Sequence, residues 1–523
     1  MTWKMNTVTL VRFPPELLCH ILGFLDGYDL VRVRKACKAL KETVDNSEML
    51  QYAIDLRYFR VVEVGTYETN LPLAARRKRL RHHETAWKRM EYKQKYTLRP
   101  STEDNIYHFA GGIFAGAEDD GPGIHFMRLP SAADPDVVRC WNHPVDLGTL
   151  VDFTFCPEQD LLVLLTSTPI DSWYSSPVHD IHLRSLKTNE AHPDAAQSIL
   201  KAFYVDHIAT HAHQLCPEKL QVVGNYVSLL YLDNNPINRT VGDYLQMWDW
   251  KSKDGYLFIL EVDDGINDYF FLGEDKFLIV THGGMEIYSI ADKLRPPQCT
   301  SKLSFPSLMD HWRYNDVPMT KTIDTTPSSV FLHAQKSTDQ PSFYPSPDDK
   351  IMVIPVHIFC LHEKDPHSYF FIARRSAILQ LESLYVNTYG QPTSNGPKLL
   401  WPMWGPQHTT WFLESSISSI WEKSICGFRT VWCSHPNWLC IRDFNPHIAW
   451  NYDTTGCRGR LVRGELTSTI RPPFTEPLGS ALGYRETISE EFDVTEVVVD
   501  ESRIVLMTRN NSARLQKVEV LMF

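Results

Sequence analysis

Apolar positions near the start of the chain recur at helical intervals. From Pro14 the sequence reads PPELLCHILGFLDGYDLVRVRKACKALKETV. Leu17, Leu18, Ile21, Leu22 and Leu25 follow one another at steps of one, three and four, which predicts an amphipathic helix. Pro14 and Pro15 stand at its start, where a missing N–H costs nothing. Asp26-Gly27 ends it. A second helix is expected from about Asp29, with Leu30, Val33, Cys37, Leu40 and Val44 on one side and a break near Ala36–Lys38. Asp45-Asn46-Ser47 reads as a further turn or cap. Residues 71–98, rich in good helix formers and free of internal Gly and Pro, predict one more helix. Leu80, Trp87 and Met90 are its candidate anchors.

From about residue 105 the pattern changes to short strands separated by turn residues. KFLIVT (276–281) and MEIYSI (285–290), joined through His282-Gly283-Gly284, predict a hairpin. A polar turn runs into LLVLL at 161–165, and Ser346-Pro347-Asp348-Asp349-Lys350 runs into Ile351–Ile354. Weaker copies occur at Val222–Leu232 and Glu501–Met507. The helical period is expected to be absent throughout this part. Ser167–Asp180, Asp233–Asp243, Pro296–Pro327 and Trp401–Ile420 read as long loops, the usual carriers of recognition on a rigid β scaffold.

The whole chain has 523 residues, with 43% hydrophobic and 22% charged, which are ordinary globular values. Prolines (33) outnumber glycines (25), as suits a loop-rich β body. The longest aliphatic run is Leu161–Leu165, far short of the roughly 20 residues a membrane helix needs. The first residues show no signal-peptide pattern. Eleven scattered cysteines form no disulfide framework, so a cytoplasmic or nuclear setting is expected.

Charge divides the chain. The net charge is −11. Residues 1–70 are neutral, residues 71–99 hold 10 Lys and Arg against 2 Asp and Glu, and residues 100–523 carry −19. An acidic body disfavours nucleic acid, because binding requires many cations against phosphate. The basic segment is expected to be a solvated helix face.

Residues 13–44 resemble an F-box. The resemblance rests on Phe13-Pro14, Glu16-Leu17-Leu18, Ile21-Leu22-Gly23-Phe24-Leu25-Asp26, Asp29-Leu30 and Cys37-Lys38-Ala39-Leu40. Phe13 replaces the usual Leu and Ala36 the usual Val, both still apolar. The resemblance implies docking on the Skp adaptor and, through it, on a cullin scaffold. The contact would fall on Pro14, Leu17, Ile21, Leu22, Leu25, Leu30 and Val33. The repeated turn-and-strand units resemble WD-repeat blades, with one Trp248-Asp249 pair closing a blade. Blade spacing exceeds the usual ~40–45 residues. Six to eight blades are expected, with Lys517–Phe523 pairing near Ile106–Ala115 to close the ring.

The expected fold class is α+β multidomain. It comprises a small all-α F-box module (9–60), a basic helical linker (61–104) and a large all-β propeller-like recognition domain (105–523). Seven tryptophans between 401 and 450 (Trp401, Trp404, Trp411, Trp421, Trp432, Trp438, Trp450) suggest blade packing first and an aromatic surface second. His207, His211, His213 and Cys216 match no standard zinc spacing, so no metal and no cofactor are expected. Cys426, Cys433 and Cys440 read as strand cysteines. Phosphate loops, nucleophile elbows and dinucleotide fingerprints are absent. Asp119-Asp120 and Asp263-Asp264 are explained by turns.

The function expected is that of a substrate receptor in an SCF-type ubiquitin ligase. It would join the adaptor to an unidentified target protein, without an active site of its own. The alternatives are an F-box scaffold outside ubiquitination and a propeller enzyme.

Overall fold

A computed structural model describes residues 10, 13–63, 71–98, 106–117, 123–130, 138–146, 148–168, 178–202, 215–233, 242–253, 257–262, 264–314, 343–347, 349–362, 367–393, 396–413, 424–434, 438–449, 459–464, 472–492, 494–510 and 515–523. His207, His211, His213, Asp119-Asp120, Asp263, Trp421 and Trp450 lie outside them.

The N-terminal module has four helices, α1 (Pro15–Leu22), α2 (Gly27–Arg34), α3 (Lys38–Asn46) and α4 (Glu48–Phe59). The predicted break at Ala36–Lys38 is the α2–α3 boundary. α2 begins earlier than expected, because Asp26 caps it: its Oδ1 accepts from the Asp29 N–H at 2.8 Å. Ser47 caps α4 by accepting from the Leu50 N–H. Leu22, Leu30, Leu40, Val44 and Leu50 form the module's core.

The helix predicted over 71–98 stops short. α5 spans Leu73–Arg89, and Met90 ends it in a left-handed conformation (φ 58°). The chain then turns into a strand. β1 (Val61–Glu63) precedes α5 and β2 (Gln94–Leu98) follows it.

The body consists of seven antiparallel sheets of four or five strands, spanning residues 106–144, 149–201, 215–261, 268–304, 312–413, 425–491 and 496–522. The first strands of neighbouring sheets face each other, as Ile106–Ala110 faces Thr149–Cys156 and Thr149–Cys156 faces Leu215–Val223. This is a seven-bladed β-propeller, so both the all-β body and the blade range hold.

The ring closes differently from the expectation. The last strand, Leu515–Met522, does pair at a ring seam, but its outer partner is β2, with Tyr96 opposite Val520. Ile106–Ala110 pairs with Ile113–Ala117 instead. The periodicity of 71–98 hid this, because Gln94–Leu98 is a solvent-side edge strand with few buried residues to mark a period of two.

The KFLIVT hairpin appears as predicted, with Thr281 opposite Gly284. Helices nonetheless interrupt the strands of this all-β body, chiefly α6 (Arg375–Tyr389) and α7 (Trp401–His408), the latter within a predicted loop. Asp349, expected in a Pro-Asp turn, caps α6 through Ser376 N (2.9 Å) and Oγ (2.7 Å). α6 lies along the outer strand of the fourth blade, where Glu382 accepts from Lys276 Nζ at 2.6 Å. With α7 it fills the wedge between the fourth and fifth blades. Trp401 and Trp404 are fully buried there, and Trp432 is buried in the sixth blade. Trp411 is half-buried among rings and Trp438 is exposed, so most of the described tryptophans serve packing.

Leu521 is fully buried between the closing strand and the sixth-blade core. Leu521→Ala is expected to cost about 2–5 kcal/mol of folding stability, as buried Leu-to-Ala changes do. Chemical denaturation of the full chain measures it.

Candidate docking face

Helix α1 carries two apolar rows. Leu18 and Leu22 point inward, with Leu22 at 2% exposure. Leu17 and Ile21 point outward at 49% and 39%. Phe13 precedes them on the outward side. Phe24 (79% exposed) and Tyr28 continue the row past the α1–α2 turn. The outward positions 13, 17, 21, 24 and 28 keep steps of three and four. Five large apolar side chains are thus solvent-exposed on one short stretch of a helical module. Phe24 stands edge-on to His20 (5.3 Å between ring centres), and Arg32 covers the Tyr28 ring at 5.0 Å.

The seven residues named from the sequence therefore divide. Pro14, Leu17 and Ile21 are exposed on the strip. Leu25 and Val33 are half-buried against the module's core. Leu22 and Leu30 were expected at the contact but are core residues, with Leu30 wholly buried. A single apolar period cannot separate the two rows, because apolar residues stand on both the buried and the exposed side of α1. Phe13, Phe24 and Tyr28 were missed as contact candidates, although their spacing was present in the sequence.

The module is fixed to the propeller through α4, α5 and β1. The basic segment is partly matched from within. Arg77 Nε and Arg81 Nε both donate to Asp55 Oδ2 at 2.7 Å, and Arg76 reaches Glu63 at 3.2 Å. Arg77 and Arg81 are thus turned toward Asp55 of α4, and Arg76 toward β1, rather than simply solvated. Trp87 stacks on the terminal Phe523 ring at 4.0 Å. β1 pairs with Phe343–Pro345 from the long connection inside the fifth blade. Asn445 Nδ2 donates to the Tyr58 carbonyl at 2.9 Å.

A buried charge cluster sits at this junction. Glu84, the only acidic residue of α5, is 2% exposed and pairs with Arg429 of the sixth blade. Arg429 also reaches Asp443 at 3.3 Å. Burial pushes the Glu84 carboxyl up, but Arg429 and His83 together outweigh it and hold it below its usual value. Around Asp443 burial wins over the more distant contact and raises it. A cavity of about 180 Å³ opens beside the cluster, with Tyr58, Lys88 and Arg485 among its walls. Among the described residues no group of three or more His, Cys, Asp and Glu is arranged for a metal, and no helix is long and apolar enough to cross a membrane.

The structure is thus a small helical bundle with an outward apolar row, joined to a seven-bladed β-propeller body. The F-box domain family matches residues 10–52, so the chain carries an F-box domain ahead of its propeller. A search of curated proteins finds no significant match. Among solved structures, the N-terminal domain of Nup159 is similar at 10% identity and a TM-score of 0.31, over 82% of this chain and 95% of that one. Drosophila Plexin A in complex with Semaphorin 1b gives 8% identity and 0.24, over 83% and 88%. Citrobacter koseri AztD gives 10% and 0.20, over 74% and 90%. At these scores the likenesses carry no weight for fold or function.

The Glu84–Arg429 pair has a pH signature. A carboxylate held low in the folded state stabilises fully above its unfolded value, about 4.3. That stability is lost as pH falls through the lower folded value. Thermal midpoints of the wild type are expected to drop on acidification below that point, and Glu84→Gln to flatten this part of the profile. Arg429→Met leaves Glu84 buried without its cation and is expected to cost about 3–5 kcal/mol at pH 7.

Proposed function

We propose that the chain is a substrate receptor of an SCF-type ubiquitin ligase. The outward strip Pro14, Leu17, Ile21, Phe24 and Tyr28 docks the Skp adaptor, which links it to a cullin scaffold. The propeller holds a target protein. The observation that carries this reading is the exposed apolar row on a domain of the F-box family. Docked apolar side chains each contribute about 1.5–3 kcal/mol, so four or five of them suffice for a stable complex. The half-buried Leu25 and Val33 shape the floor beneath the row. Catalysis in such a complex is proximity, with target lysine and charged ubiquitin held at high effective concentration. The receptor needs no active site for that. The setting proposed is cytoplasmic or nuclear.

Rigid anchorage supports the same reading. A target presented by a firmly seated propeller keeps a fixed distance from the adaptor. The two-sided hold on α5, Glu84–Arg429 within and Trp87–Phe523 at the end, supplies that rigidity.

Co-purification with the Skp adaptor tests the proposal. The wild type is expected to bind, and Leu17→Asp/Phe24→Asp to weaken binding at least 100-fold with an unchanged thermal midpoint, since both side chains are solvent-exposed. Leu22→Asp is the contrasting control, because a charge in the module's core reads out as unfolding. A wild-type chain that fails to bind the adaptor rejects the receptor reading.

A further inference from the structure

The helical module meets connections on one face of the ring. These include Gly427-Phe428, between the first two strands of the sixth blade, and Glu501, at the same place in the seventh. Antiparallel strands alternate direction. Connections from second to third strands, and from one blade to the next, therefore emerge on the opposite face. Two histidines meet there on the fifth blade.

His311 lies in the connection entering that blade, just before the strand Trp312–Tyr314. His362 lies at the tip after the second strand, Ile351–Cys360. Strand pairing brings them together: Trp312 is opposite Cys360, and the Leu361 N–H donates to the His311 carbonyl at 2.9 Å. Both histidines are exposed. Their ring centres are 4.9 Å apart at an interplanar angle of 52°. His311 has φ 70°, one of five non-glycine residues with positive φ among the described residues. The left-handed backbone falls at the turn where the connection enters the strand.

The spacing is that of a chelate. With a Zn–N bond of about 2.0–2.1 Å, two imidazoles sharing one ion at a tetrahedral angle place their ring centres roughly 5 Å apart. Two neutral imidazoles at this distance accept one borderline cation, whereas two protonated ones would repel. We propose that His311 and His362 form a two-histidine site for a divalent transition-metal ion of the zinc class. Solvent completes the coordination shell, since no third protein ligand is arranged there among the described residues. The ion would staple the entering connection to the strand tip on the face turned away from the F-box domain. The site stands on its own geometry and does not depend on the receptor reading.

Open two-histidine sites follow the general order of affinities, with copper above zinc and nickel. The experiment uses the full chain, stripped with a chelator and titrated with ZnCl₂ against a chromophoric zinc indicator. The chain has other histidines and cysteines, so the readout is the difference between variants. His311→Ala and His362→Ala are each expected to lose one equivalent of micromolar zinc relative to wild type. The double variant is expected to lose no more than either single one. Asp310→Asn, the neighbouring acid, is expected to keep that equivalent. Equal zinc uptake by wild type and both histidine variants overturns the proposal.

Discussion

Every blade but one takes its strands from a single stretch of the chain. The seventh takes its outer strand, β2, from the segment just behind α5. A propeller must satisfy this last edge, because an unpaired strand leaves a row of backbone donors and acceptors exposed. Pairing Gln94–Leu98 with Leu515–Met522 does so. It also tethers α5 to the body within four residues of the helix end. The F-box domain is therefore attached at the same seam that closes the ring, and its position follows from ring closure.

The remaining contacts at the junction make that attachment stiff. Trp87 on Phe523 joins α5 to the chain's last residue. Glu84 and Arg429 are specific as well as strong, because neither charge tolerates burial without the other. Asp55 gathers two arginines of α5 onto α4. Arg77 and Arg81 of the basic segment thus hold α5 to α4, while Glu84 and Trp87 hold it to the propeller. The insertion that carries α6 and α7 plays a comparable part farther round the ring, where Trp401 and Trp404 fill the space between the fourth and fifth blades.

Much of this was legible in the sequence. The helices of the F-box, the α2–α3 break, the Ser47 cap and the turn-and-strand units are local features, and local features leave local patterns. The F-box signature rests on ordered positions within about 32 residues. The exposed apolar row was only partly legible. Leu17 and Ile21 were named, but Leu22 and Leu30 were named with them, and Phe24 was not. Helical spacing marks which residues are apolar, and a helix between a core and a partner is apolar on both sides.

What the sequence determined by itself was the order of elements and their kind: a short helical bundle, a basic helix, then a strand-rich body of six to eight blades. Tertiary structure alone decided which apolar row faces outward, that the count is seven, that β2 closes the ring, and that Glu84 meets Arg429 across 345 positions. Those are nonlocal pairings. No period within a segment encodes its partner, because the free energy that selects the partner comes from burial and charge matching after the chain has come together.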